Sequence, residues 1–347
     1  MKKRLIISIF VAIVYAASLL LNACKKNDAS FRAATPLTFV IPIGFPQPVY
    51  NFNANPTSEE GFLLGRKLFY DGRLSIDGNY ACASCHQQIA AFTTFEHDRS
   101  HGYNHSHTLR NAPGLANLAW YPVYTQDGSA TTLESIYYNH ITNPMEMAEN
   151  MPNVVNKLSG DTAYQRMFTA AFGDNRVTQD RIFNALTQFV INMVSSNSKY
   201  DKMLRGEYVF NSFEQSGYQT FQAKCGSCHK EPLFTDFSFR NNGLPLDPGL
   251  NDFGRMRVTG NRADSLKFRV PSLRNVELTS YYGHDGRMSV MRMMVQHYRA
   301  GAITPSPTLD PSLANGISLT QTEEDNLIWF MRTLSDSSYL TNPRYHN

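Results

Sequence analysis

Two short segments of this 347-residue chain repeat one arrangement of reactive side chains: Cys82-Ala83-Ser84-Cys85-His86 and Cys225-Gly226-Ser227-Cys228-His229. Two thiols three residues apart sit on one turn, where both can add to the two vinyl groups of a haem. The imidazole of the next residue then reaches the iron as proximal ligand. The spacing points to two covalently bound haem c groups. Cys-x-x-Cys alone also serves as a redox dithiol or as half of a zinc site. A zinc site wants a second pair close by, and these pairs lie far apart. A redox dithiol has no use for a histidine at the same offset twice. Of the five cysteines, four lie in the motifs and the fifth is Cys24, so none remains for a disulfide framework.

Haem c is attached outside the bacterial cytoplasm, and the N-terminus fits export. Met1-Lys2-Lys3-Arg4 is cationic, Leu5 to Leu21 is apolar, and Leu21-Asn22-Ala23-Cys24 reads as a lipobox. The resemblance to bacterial lipoprotein signals implies that 1–23 is a signal peptide. It further implies that Cys24 is lipidated and that the mature chain is periplasmic and anchored to a membrane. An uncleaved anchoring helix is the alternative. The formal charge of +3, with basic residues dispersed beyond the N-terminus, gives no reason to expect a nucleic-acid partner. Aromatic residues make up 12% of the chain, enough to line haem pockets as well as a core.

The elements that must position these motifs are mostly helices. Residues 24–56 read as a linker and an extended strap. A helix from Thr57, with Glu60 completing a capping box, runs to about Tyr70. The stretch from Ser100 to Asp127 is loop-like, and a short helix covers Thr132 to Asn139. The stripe Ile182, Leu186, Phe189, Val190 and Met193 predicts a helix over Thr178–Ser195. Lys199–Asn211 reads as a joint. A capped helix from Ser212, with Gln215 at its third position, leads into the second motif. Late helices cover Met291–Arg299 and Thr320–Leu334, the latter with a Thr320–Glu323 box. An internal repeat overlies this pattern. Gly65-x-x-x-Phe69 corresponds to Gly217-x-x-x-Phe221. Ala112-Pro113-Gly114-Leu115-Ala116-Asn117 corresponds to Val270-Pro271-Ser272-Leu273-Arg274-Asn275. Asp127-Gly128 and Asp285-Gly286 follow at one spacing. The expected fold is mainly α, with two cytochrome c-like haem domains in tandem, 57–204 and 205–347, related by duplication.

Leu64-Gly65-Arg66-Lys67-Leu68-Phe69, Arg110-Asn111-Ala112-Pro113, Asn143-Pro144-Met145-Glu146-Met147 and His284-Asp285-Gly286-Arg287 lie in order around the two motifs. With them, the chain from about Gly61 to Leu334 resembles the bacterial di-haem cytochrome c peroxidase family. That family includes the methylamine-utilisation di-haem enzyme that oxidises protein tryptophans. The resemblance implies a peroxidatic haem on His86 and an electron-entry haem on His229. It implies hydrogen peroxide as substrate and a small electron donor, a cytochrome c or a cupredoxin. Glu146 matches the distal acid, a role that suits a carboxyl group because peroxide cleavage moves one proton between two oxygens. His101 matches a removable distal ligand of the first haem, in a stretch that also holds His97, His105 and His107. Tyr298 falls where the second haem takes its sixth ligand, with Met291 and Met294 as alternatives on the same helix. Tyrosinate would favour ferric iron. Calcium between the domains is implied at Asn111 and Thr279, with Tyr281 in place of a proline that acts through its carbonyl.

One residue departs from the family pattern. The position before the first Asp-Gly, usually tryptophan, is Gln126, which cannot carry a radical. Electrons would pass directly or through Tyr121 or Tyr124, since the only tryptophans are Trp120 and Trp329. Three functions follow from these features. A peroxidase rests on Glu146 and an openable first haem. An oxidase of a protein or small molecule is favoured by Tyr298 and opposed by Gln126. A pure electron carrier would need both irons six-coordinate. Family members are often dimers, and nothing in the sequence marks an interface.

Overall fold

The computed structural model describes residues 33–347 apart from 300 and 302. The expected signal peptide 1–23, Cys24 and the first part of the linker lie outside the described residues. In chain order, the helices longer than a single turn are α1 (Glu59–Phe69), α2 (Leu133–Thr142), α3 (Met151–Ser159), α4 (Thr162–Phe172), α5 (Gln179–Ile191), α6 (Lys199–Leu204), α7 (Ser212–Lys224), α8 (Met291–His297) and α9 (Gln321–Arg332). The one sheet among the described residues is an antiparallel pair, β1 (Phe239–Arg240) with β2 (Phe268–Arg269). The fold is mainly helical, as the scarcity of strand patterns implies.

Two helix crossings form the frame: α1 lies on α5, and α7 lies on α9. Each is closed by a glycine. A Cβ at Gly65 would fall 1.9 Å from the Ala185 carbonyl oxygen and 2.9 Å from Phe189 Cβ. A Cβ at Gly217 would fall 1.9 Å from the Asn326 carbonyl oxygen and 2.9 Å from Phe330 Cβ. Without a side chain the backbones touch, and the aromatic one turn on, Phe69 or Phe221, is buried beside the contact. Phe62, Leu64, Leu186 and Phe189 pack in one apolar cluster, and Phe221, Leu327, Phe330 and Leu334 in another. Tyr339 and Tyr345 from the chain's end join the first cluster, against Phe92 at 5.5 and 6.3 Å.

The repeated turns adopt matching geometry. Asn117 and Asn275 are both left-handed, with φ of 63° and 62°. The Asn117 N–H donates to Met193 O (2.9 Å) while its Oδ1 accepts from Ser195 N (2.9 Å). The Asn275 N–H donates to Leu334 O (3.0 Å) while its Oδ1 accepts from Asp336 N (2.8 Å). Each asparagine thus ties its turn to the chain leaving α5 or α9. The Asp-Gly turns match as well, each flanked by an antiparallel bridge, Tyr124 with Ala130 and Tyr282 with Met288.

Several boundaries differ from the sequence reading. Ser58, rather than Thr57, caps α1, because its hydroxyl accepts from Gly61 N, and Glu60 is drawn instead to Thr35 of the strap. Asn211 and Glu214, one residue earlier than expected, box the start of α7. The expected joint contains α6, with its own Ser198–Asp201 box. Helix α5 ends at Ile191, before the expected Ser195, where Asn192 leaves the helical conformation and the chain turns toward Asn117.

Candidate functional site

Both Cys-x-x-Cys-His segments fold into the same turn. His86 N donates to Cys82 O (2.9 Å) and His229 N donates to Cys225 O (3.0 Å). None of the four sulfurs is in a disulfide. Each imidazole spends Nδ1 on a main-chain carbonyl: His86 on Phe92 O (2.9 Å), His229 on Phe234 O (3.1 Å) and Pro271 O (3.2 Å). A carbonyl only accepts, so Nδ1 carries the proton and Nε2 keeps its lone pair for a metal. Burial pushes His86 down to about 4, and it lowers His229 in the same direction. Both are therefore neutral, the form that can ligate iron. Phe92 and Phe234 are fully buried and left-handed, with φ of 62° and 56°, which swings their carbonyls onto the rings. The sequence reading missed this pair. The signal for it was a Phe-Thr dipeptide after each motif, Phe92-Thr93 and Phe234-Thr235.

Glu146 lies on the turn that follows α2. Its Oε1 accepts from Asn143 Nδ2 (2.8 Å) and its Oε2 pairs with His140 Nδ1 at the end of α2. The carboxylate is one-fifth exposed. His140 was not singled out from the sequence. Burial would lower its affinity for a proton, yet the charge of Glu146 and the hydrogen bond outweigh this and hold the imidazole above its usual range. The charges of Glu146 and His140 are also felt by His86, and that of Glu146 by Cys85, which places the pair beside the first motif.

The loop carrying His101 is docked on this same turn. Tyr103 N donates to Glu146 O (2.8 Å), and Ser106 Oγ donates to Met145 O (2.9 Å). A Cβ at Gly102 would fall 2.0 Å from Met145 O, so glycine is required for the approach. His101 meets His97 edge-on at 4.7 Å and lies tilted against His107 at 4.5 Å. Desolvation, then the charges of His107 and His97, hold it below its usual range, as a neutral imidazole. Its main-chain oxygen lies 3.9 Å from Cys85 Sγ. Among the described residues no three His, Cys, Asp or Glu side chains converge as a metal site.

Tyr298 ends α8, and its hydroxyl accepts from Asn242 Nδ2 at 3.4 Å. Burial pushes the phenol up to about 12. The thiols Cys225 and Cys228 add to that shift, which places the ring near the second motif. Met291 packs at the edge of the second apolar cluster.

At the junction of the two halves, Asn111 N donates to His284 O (2.9 Å) and Asn111 Nδ2 to Asp98 O (2.8 Å). Thr279 O accepts from Thr93 Oγ1 at 3.1 Å. Gln126 Nε2 donates to Asn111 O (3.0 Å), while its Oε1 is buried without a partner, as are Ser280 Oγ and Arg269 Nη1. The Arg269 guanidinium lies over the Tyr121 ring at 4.5 Å, and Tyr121 meets Phe237 edge-on at 4.9 Å. Neither tryptophan is at the junction. Trp120 donates to Pro46 O in the strap (2.7 Å), and Trp329 is on the surface against Phe213.

A mainly helical chain with two such turns has the architecture of a c-type haem protein with two centres. Residues 59–209 match the family model described as di-haem cytochrome c peroxidase. The chain is 32% identical over 303 residues to the methylamine utilization protein MauG of Methylophilus methylotrophus, covering 85% of this chain and 87% of that protein. It is 34% identical over 255 residues to cytochrome c551 peroxidase of Nitrosomonas europaea, covering 72% and 76%. Among solved structures, a MauG-like protein associated with microbial copper homeostasis superposes with a TM-score of 0.82 at 32% identity, covering 89% of this chain and 98% of that one. The diheme peroxidase BthA from Burkholderia thailandensis, at 21% identity and a TM-score of 0.73, shares the fold. The chain belongs to the di-haem cytochrome c peroxidase family.

Proposed function

We infer that this chain is a periplasmic di-haem peroxidase, anchored through Cys24, that reduces hydrogen peroxide to water with electrons from a small redox protein such as cytochrome c. The observation that carries this reading is the Glu146 carboxylate. It is held at both oxygens and set beside the first Cys-x-x-Cys-His turn under the His101 loop. Cys82 and Cys85, and Cys225 and Cys228, would bind the two haems, with His86 and His229 as proximal ligands, His101 as the removable ligand and Tyr298 as the sixth ligand of the second. The haems supply the site where peroxide binds and the path by which electrons arrive. Glu146 takes the proton from one peroxide oxygen and delivers it to the other, so that the departing oxygen leaves as water. The matching glycine crossings, Asn turns and His–Phe carbonyl bonds support duplicated domains at 57–204 and 205–347. Asn111 and Thr279, with Tyr281 through its carbonyl, would hold the calcium that the family resemblance implies; the buried Ser280 Oγ next to Thr279 and Tyr281 has no hydrogen-bond partner.

The test is steady-state peroxide consumption with reduced cytochrome c. Glu146→Gln is expected to lose about 10²–10⁴-fold in kcat with its haem spectrum unchanged. A parent protein with no turnover in either redox state overturns the reading. A second reading, oxidation of a protein or small-molecule substrate, is supported by Tyr298 and by the likeness to MauG. Under that reading, peroxide added to the fully oxidised protein would produce a long-lived spectral change without any prior reduction.

A further inference from the structure

We propose that His140 is the positioning residue of Glu146: its Nδ1–H fixes the carboxylate, and as imidazolium it resupplies Glu146 with a proton during peroxide reduction. This rests on Glu146 acting on peroxide. Reducing one peroxide to two waters takes up two protons with two electrons. A carboxyl group that only moves a proton from one oxygen to the other supplies neither. A donor bonded to Glu146 must therefore recharge it and be recharged from solvent.

The geometry singles out His140. The carboxylate has two side-chain donors, and one, the Asn143 amide on Oε1, cannot release a proton. The other is His140 on Oε2. The turn sets the pair rigidly: Asn143 O accepts from both Glu146 N (3.0 Å) and Ala148 N (2.9 Å), and Asn143 Oδ1 accepts from Met145 N (3.0 Å). This brings a side chain of the last turn of α2 back onto one six residues later. The titratable groups that face the pair are few. His86 feels both charges, and its own Nδ1 is committed to Phe92 O. Cys85 feels Glu146, and its sulfur has no proton once bound to haem. Tyr103, from the His101 loop, meets Glu146 through its backbone N–H alone. His140 carries the exchangeable imidazole proton that meets the carboxylate.

Two pH series test this, on the parent, His140→Gln and Asn143→Ala. The first follows kcat for peroxide. The parent is expected to lose activity as pH rises through a value above about 6.5, the ordinary histidine range. Asn143→Ala should slow turnover and keep that limb. His140→Gln should lower kcat about tenfold or more and abolish the limb. The second follows fluoride binding to the ferric protein by absorption, which takes up a proton at the distal carboxylate and needs no turnover. Its affinity should fall over the same pH range in the parent and in Asn143→Ala, and be flat there in His140→Gln. Fluoride profiles that coincide in parent and His140→Gln overturn the proposal. No peroxide turnover with a fluoride profile altered by His140→Gln would sink the peroxidase reading and keep His140 as the partner of Glu146. If His140→Gln loses haem, His140→Asn takes its place.

Discussion

An imidazole binds iron only through a nitrogen that bears no proton. His86 and His229 meet that condition because Nδ1 is tied to a carbonyl and the ring is buried. Tyr298 faces the opposite problem. A phenol pushed up to about 12 by burial is neutral at ordinary pH and becomes a ligand only if a cation takes the place of its proton. The Asn242 amide, donating to the hydroxyl oxygen, favours the anion. If Tyr298 binds the second iron, Tyr298→Met exchanges a hard anion for a soft neutral donor, and the potential of that haem is expected to rise. Spectroelectrochemistry of the parent and Tyr298→Met reads this directly, and an unchanged potential removes Tyr298 from the ligand set. At this scale the sequence was informative where the chemistry is local. Cys-x-x-Cys-His needs no tertiary structure to be recognised. His140 acts through a contact that only the folded turn brings about, and no spacing rule marks it.

Among the helices, the glycine crossings decide whether either motif has a frame. Alanine is the better helix former by about 1 kcal/mol, so on propensity alone Gly65→Ala or Gly217→Ala would stabilise α1 or α7. The neighbouring carbonyl at 1.9 Å reverses the sign, because it belongs to the backbone of the facing helix and cannot rotate away. Forcing the pair apart costs about 1–3 kcal/mol or more in overpacking, so each variant is expected to be less stable than the parent by thermal denaturation. A Tm equal to or above the parent's would mean that the crossings are looser than described. The same elements show why some boundaries were legible. Thr178 and Thr320 stand alone before apolar stripes and do cap their helices. Thr57-Ser58 offers two hydroxyls in succession, and the choice was made by Gln188, more than a hundred residues away, which bonds Ser58. Helices α3 and α4 have no counterpart in the sequence reading, and Pro152 and the Gly160-Asp161 step have the look of turn signals. A proline at the first positions of a helix is in fact compatible with it, and Gly160-Asp161 is the break between two short helices.

The two halves of the molecule are joined by an ion network centred on Arg110. Arg110, next to Asn111, makes a two-bond contact with Asp252 of the second half (2.6 and 2.8 Å) and reaches Asp127 of its own half at 2.7 Å. Its guanidinium also lies over Phe268 at 5.3 Å, and Phe268 stacks on His284 at 4.0 Å. Burial alone would raise both carboxyl groups, but Arg110 outweighs it and holds each below the usual carboxylate range. Groups lowered in the folded state contribute stability above their unfolded value of about 4, and lose it as pH falls through the lower folded value. Arg110→Met removes the main partner of Asp127 and of Asp252, the latter 1% exposed and left with Arg257 at 3.8 Å. The expected loss at neutral pH is about 3–5 kcal/mol, the scale for removing one partner of a buried pair. That penalty should shrink toward pH 4, because the orphaned carboxyl groups of the variant take up protons first. Calorimetry of parent and variant at both pH values checks this, and Arg110→Met combined with Asp127→Asn and Asp252→Asn should recover much of the loss at neutral pH. A penalty that stays the same at both pH values, or a combined variant no better than Arg110→Met, would show that the halves are held by packing around Phe268 instead. The site at Asn111 would then depend on that aromatic contact rather than on the ion network.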